Sequence, residues 1–172
     1  MNVEKEIINR VTQSPLVTID LEELYVQGER VLYDLKENLF EELILREKDF
    51  RQLLKSHDWS FYEDKHVAIY CSVDAIIPRW AFMLLSVYLE PFAKSIVYGD
   101  LSALETELFR RSLKRIDPKK YQDKKVVVKG CSKIDVPISA YVELVAMLRP
   151  FAASIMYGEP CSTVPIYKKS KK

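Results

Sequence analysis

Three Cys-Ser pairs, Cys71-Ser72, Cys131-Ser132 and Cys161-Ser162, are the residues of this chain whose types best suit chemistry. All three fall near the ends of expected secondary-structure elements. A cysteine at a strand-to-helix turn can be ionised by helix N-terminal amides, which makes a thiolate nucleophile or sulfur carrier. Three converging thiolates could instead hold zinc or an iron–sulfur cluster. The loop 71–77 also carries Asp74 and the loop 130–136 carries Asp135. With Ser72 and Ser132, these are the groups that would orient a bound species. The competing reading is packing, because free cysteine often behaves as a small hydrophobe. That reading is strongest for Cys71, which continues an apolar strand. No C-x-x-C occurs, so spacing supplies no metal signature.

Other chemistries are poorly provided for. His57 lies near a helix end and His66 alternates on a strand, so structural roles are expected for both. There is no glycine-rich phosphate loop, no H-E-x-x-H and no G-x-S-x-G, and the chain has only 4 glycines. Lys plus Arg is 26 and Asp plus Glu is 25, which argues against a nucleic-acid surface. The one basic cluster, Lys168, Lys169, Lys171 and Lys172, reads as a disordered tail over 168–172. Residues 1–10 lack the apolar core of a secretory signal. The longest apolar run, 80–89, is far short of the roughly 20 residues that span a bilayer. An odd number of irregularly spaced cysteines argues against a disulfide framework and points to a reducing cytoplasm.

The elements that would position these groups come as a duplication. Residues 64–100 and 123–159 align at a constant offset of 59 with 14 identities in 37 positions. About two would arise by chance from ordinary residue frequencies. One supersecondary unit is therefore used twice. Each copy reads as strand, loop, proline-initiated helix and short strand. The strands are 66–71 and 125–129, Pro78 and Pro137 open the helices, and 95–99 and 154–158 close the units as strands or as helix ends. The run 80–89 is apolar almost all round, so its helix should be deeply buried.

Outside the repeat, 3–11 reads as a short leading helix and 48–56 as an amphipathic one. Residues 16–21 and 30–35 read as strands flanking the Gln27-Gly28 turn, and an antiparallel hairpin is expected. Ser102 and Glu105 form a capping box for a helix carrying Leu101, Leu104 and Leu108. A last strand covers 164–167. The expected fold is a single α/β (or α+β) domain over 1–167, with a mixed sheet covered by helices.

Two segments carry a family resemblance. They are Cys71-Ser72-Val73-Asp74-Ala75-Ile76-Ile77-Pro78-Arg79-Trp80-Ala81-Phe82-Met83-Leu84 and Gly158-Glu159-Pro160-Cys161-Ser162-Thr163-Val164-Pro165-Ile166-Tyr167-Lys168. Through them the chain resembles the bacterial domain of unknown function numbered 2480, over nearly its whole length. The resemblance implies a single-domain accessory protein associated with the sulfur-mobilising iron–sulfur assembly system, and attaches no activity to the motifs. The expected function is a non-enzymatic cytosolic accessory or binding protein. In it Cys131 and Cys161, and less so Cys71, would be sulfur acceptors or ligands to an iron–sulfur cluster or zinc. The alternatives are an enzyme with a cysteine nucleophile in the strand-end loops and a homodimeric interaction module built on the helices around Trp80 and Tyr141. Expected partners are iron–sulfur assembly proteins or a second copy, with neither nucleic acid nor membrane.

Overall fold

The computed structural model describes residues 16–129 and 133–170. The expected helix at 3–11 therefore lies outside the described residues, as do Cys131 and Ser132. The chain is α/β, and its strands gather into two sheets. Two compact units result: a central unit, Val26–Leu108, and a terminal unit made of residues up to Tyr25 and from Phe109 onward.

In the central unit, β2 (Arg30–Asp34), β3 (His66–Tyr70) and β4 (Ser95–Tyr98) form a parallel sheet with β3 in the middle. In the terminal unit, β1 (Leu16–Asp20), β5 (Lys125–Lys129) and β6 (Ser154–Glu159) repeat that arrangement in parallel. There β7 (Ser162–Lys168) adds an antiparallel strand to β6. The β-α-β duplication is thus present, with α2 (Arg79–Leu89) and α4 (Ile138–Leu148) as its crossover helices. The closing segments are strands. Gly99 follows β4 at φ of 129° and Gly158 lies one residue before the end of β6 at φ of 121°, where an L side chain is strained.

The expected hairpin between β1 and β2 does not form. Each strand instead pairs in parallel with the middle strand of a different sheet. The middle strands explain this. Val67, Ala68, Val126 and Val127 are fully buried, so β3 and β5 must be flanked on both edges. Alternating strands such as 16–21 and 30–35 can fill such an edge as readily as they can pair with each other.

Registration against the middle strands shows that the duplication is longer than 64–100. Arg30 faces His66 as Leu16 faces Lys125, so the lead strands correspond at an offset of 14. Asp20 and Asp34 each cap the 3-10 turn that follows, accepting from the backbone N–H two residues on. Upstream of the middle strands, α1 (Glu47–Ser56) corresponds at offset 59 to the end of α3 (Leu101–Leu113). Phe50 and Phe109, and Leu54 and Leu113, occupy matching core positions. Asp58 and Asp117 then cap equivalent 3-10 turns at Trp59–Tyr62 and Pro118–Tyr121. The turns Asp64 and Asp123 sit at φ of 57° and 56°, a region that aspartate tolerates better than most residues.

Several local expectations are corrected. Helix α2 is not buried all round. Ala81, Leu85 and Leu89 face the core, while Met83 and Val87 are exposed. Its sister α4 buries Ala140, Leu144 and Leu148 and exposes Ile138 and Val142. Apolar composition hides this spacing of four. Pro78 and Pro137 are N-caps rather than first helical residues. The cap of α3 is Asp100, whose carboxylate accepts from Ala103 N at 2.8 Å, not Ser102. Glu105 instead forms a two-pronged ion pair with Arg30, at 2.9 and 3.1 Å. The basic run is also partly ordered. Lys168 ends β7, Lys169 N donates to Ala153 O, and its ammonium contacts Asp123 at 3.0 Å.

His66 is structural, as expected, and only 2% exposed. Its Nε2 meets the Gln27 carbonyl at 3.1 Å and its Nδ1 meets Ser95 Oγ at 2.7 Å. A carbonyl can only accept, so Nε2 carries the proton and Nδ1 accepts from the serine. Gly28, at φ of 136°, lets the chain pass; a Cβ there would stand 2.9 Å from the ring. Burial holds the His66 pKa below its ordinary 6.5. The unfolded chain then binds more protons than the native one at mildly acid pH. His66's contribution is fully present above about pH 6.5 and is lost as pH falls toward its lower native pKa. The urea midpoint should therefore drop between about pH 7.5 and 5, with a smaller drop in His66→Gln. A wild-type midpoint flat across that range would contradict this assignment.

Candidate functional site

The sequence-predicted thiols do not form a constellation among the described residues. Cys71 is half-buried directly after β3, with its Sγ–H directed to the Val73 carbonyl at 3.5 Å. Cys161 is exposed in the turn between β6 and β7. Asp74 and Asp135 are exposed. Ser72 is exposed, and its backbone N–H donates to Asp34 at 3.0 Å. No group of three or more His, Cys, Asp or Glu side chains among the described residues is placed to hold a metal ion.

A different set of residues converges in the central unit. The end of β2, the 3-10 turn after it and the two ends of the α1-to-turn connection enclose a pocket of about 330 Å³. Tyr33, Tyr62 and His57 supply its rings, Asp34 and Glu37 its carboxylates, and Asn38 an amide. Leu32 and Leu53, both exposed, form an apolar rim. The ring centroids of Tyr33, His57 and Tyr62 lie 5.7 to 6.0 Å from one another. Trp59 backs them, 4.5 Å from His57 and stacked on Tyr33 at 6.2 Å. Its indole N–H is already satisfied by the Leu54 carbonyl at 2.9 Å, so Trp59 is a wall.

The local sequence explains these positions. Asp34 caps the turn that carries Glu37 and Asn38, and it takes the Ser72 amide as well. Those hydrogen bonds outweigh its desolvation and hold its carboxyl below the usual range, so it is an anion at neutral pH. His57 terminates α1, and Asp58 beside it caps the turn bearing Trp59 and Tyr62. Burial pushes the Tyr33 hydroxyl up to about 12 despite a side-chain hydrogen bond from Asn38, and burial also raises Tyr62. Both phenols are therefore neutral donors and acceptors.

The polar floor is incomplete. Asn38 Oδ1 and His57 Nε2, like Ser139 Oγ in the terminal unit, are buried and have no hydrogen-bond partner among the described residues. Leaving such a group unpaired costs about 1–3 kcal/mol. The terminal unit is apolar at the matching positions. The equivalents of Tyr33, Asn38 and His57 are Ile19, in the apolar core, and Leu24 and Ile116, partly buried against it. The rim reverses too, since Leu32 and Leu53 correspond to Thr18 and Ser112.

Sequence reading passed over Tyr33 and Asn38 and gave His57 a structural role. The signal lay in aligning the duplication beyond 64–100, where apolar residues in one copy face polar ones in the other. A second concavity, of about 290 Å³, lies in the terminal unit between α4 and the sheet. Tyr141, Val145, Ile155, Met156 and Ile166 make it apolar.

Exposure ranks the described thiols. Under native conditions iodoacetamide should label Cys161 about tenfold or more faster than Cys71, as read by peptide mass spectrometry. Equal rates would show that the half-buried Cys71 is freely accessible.

No curated protein and no solved structure matches the chain. The family described as a protein of unknown function, DUF2480, matches residues 5–169. The chain, with its duplicated β-α-β framework, belongs to the DUF2480 family.

Proposed function

We propose that this protein is a ligand-binding accessory protein and that the central unit holds the ligand. One observation carries the reading. At equivalent positions of a duplicated framework, the terminal unit places Ile19, Leu24 and Ile116, while the central unit places Tyr33, Asn38 and His57 around a pocket. Polar groups buried without partners weaken a fold, and their retention is the usual mark of a site kept for binding. A cytoplasmic role beside iron–sulfur assembly or sulfur trafficking belongs to the same proposal, with exposed Cys161 as the accessible sulfur acceptor.

A second reading, association of two copies, is favoured by the terminal unit's apolar concavity. Ile138, Val142, Val164 and Ile166 are all more than half exposed around or beside it. Contiguous apolar surface of this kind marks contact sites. Light scattering should then give a dimer mass that Val142→Asp reduces to the monomer. A monomer at every concentration would dismiss this reading.

The pocket reading is tested by stability. Asn38→Leu alone strips the buried Tyr33 hydroxyl of its partner and should cost about 1–3 kcal/mol. Tyr33→Phe with Asn38→Leu removes both partners and the orphaned oxygen together. That double variant should be at least as stable as the wild type, by up to about 2 kcal/mol, while losing ligand binding. A double variant destabilised as much as Asn38→Leu would mean that these groups serve the fold.

A further inference from the structure

We infer that the ligand of the central pocket is a small organic ammonium ion, held by the Glu37 carboxylate, the aromatic faces and Asn38 Oδ1. This rests on the pocket being a ligand site and adds the chemical class. Charge makes the first selection. Asp34 and Glu37 line the cavity, and no lysine or arginine does. An anion would meet two carboxylates with only the His57 ring to offset them among the lining residues. Asp34 is committed to the Lys36 and Ser72 amides. Glu37 is exposed and forms no ion pair or hydrogen bond with the described residues. It is the carboxylate free to take a partner.

Ring geometry makes the second selection. Tyr33, His57 and Tyr62 lie within about 6 Å of one another, and Tyr33 and Tyr62 present electron-rich phenol faces. Such faces attract an alkylammonium by cation–π interaction, more strongly where water is thin. The third selection comes from the unpaired amide oxygen. Asn38 Oδ1 can only accept, so it needs a ligand N–H or O–H. Its oxygen is covered by its neighbours, so a ligand N–H would reach it only once the exposed rim side chains of Leu32, Leu53 and Glu37 shift. The two leucines favour an apolar body behind the charge. With liquid water occupying about 30 Å³ per molecule, a cavity of about 330 Å³ admits a ligand of roughly ten heavy atoms.

The test compares three probes of one shape on the full chain: 2-phenylethylammonium, neutral 2-phenylethanol and 3-phenylpropanoate. Calorimetric titration should give a dissociation constant at least about tenfold lower for the ammonium than for the alcohol, with no binding of the carboxylate. Glu37→Gln should weaken the ammonium about three- to tenfold and leave the alcohol unchanged. The variant Tyr33→Phe with Asn38→Leu should lose binding of the ammonium. Alcohol or carboxylate binding as well as the ammonium, with shifts in the Tyr33 and His57 side-chain resonances, would overturn the ammonium assignment while the ligand pocket stood. No binding by any of the three, and no shift of those resonances with a wider set of neutral, cationic and anionic fragments, would overturn both.

Discussion

A strand buried on both faces is the constraint from which the rest of this structure follows. Val67 and Ala68 in β3, and Val126 and Val127 in β5, have no exposed surface. Each middle strand therefore needs a hydrogen-bonded neighbour on either edge and a cover on either face, because a buried backbone group without a partner is costly. One edge and one face are supplied by the chain immediately downstream. A parallel return requires a crossover, and the crossover is α2 or α4, followed by β4 or β6. The other edge is supplied from the N-terminal part of the chain, where two similar strand-and-turn segments occur in tandem. The first serves β5 and the second serves β3.

That arrangement separates what was legible in the residues from what was not. The β-α-β units, the proline-initiated helices and the closing strands were legible because local chemistry repeats there: Pro78 with Pro137, Phe92 with Phe151, Gly99 with Gly158. The partners of β1 and β2 were not. Strand pairing depends on which edge is vacant in the folded chain, and two neighbouring alternating strands carry no mark that forbids a hairpin between them. The exposed sides of α2 and α4 were illegible for a related reason. Met83, Val87, Ile138 and Val142 are as apolar as the residues they flank, so only the Ala81-Leu85-Leu89 spacing shared by both copies identifies the buried face.

The duplication also works as an internal control on the pocket. The two units share capping aspartates, core phenylalanines and the tyrosines at the ends of their second 3-10 turns. Differences at matched positions are therefore differences within a constant framework. Some, such as Ile69 for Val128, exchange one apolar core residue for another. Tyr33 for Ile19, Asn38 for Leu24 and His57 for Ile116 are of another kind, because they place polar atoms where the sister unit excludes them. Cysteine, the more conspicuous residue in a one-dimensional reading, has no such contrast behind it: Cys71 directs its thiol to its own loop.

Trp59 shows why polarity at that place makes a pocket instead of a defect. In the terminal unit the same position is Pro118, which opens its turn and leaves Leu24 and Ile116 to pack directly. In the central unit the indole stacks on Tyr33 and Tyr88 and anchors its N–H on Leu54, so a rigid aromatic wall stands behind His57 and Tyr62. A wall fixed by its own hydrogen bond cannot collapse inward to fill space or to satisfy Asn38. Collapse is the ordinary fate of a polar vacancy in a packed core. Where neighbours cannot relax, the Asn38 oxygen stays without a partner among the described residues.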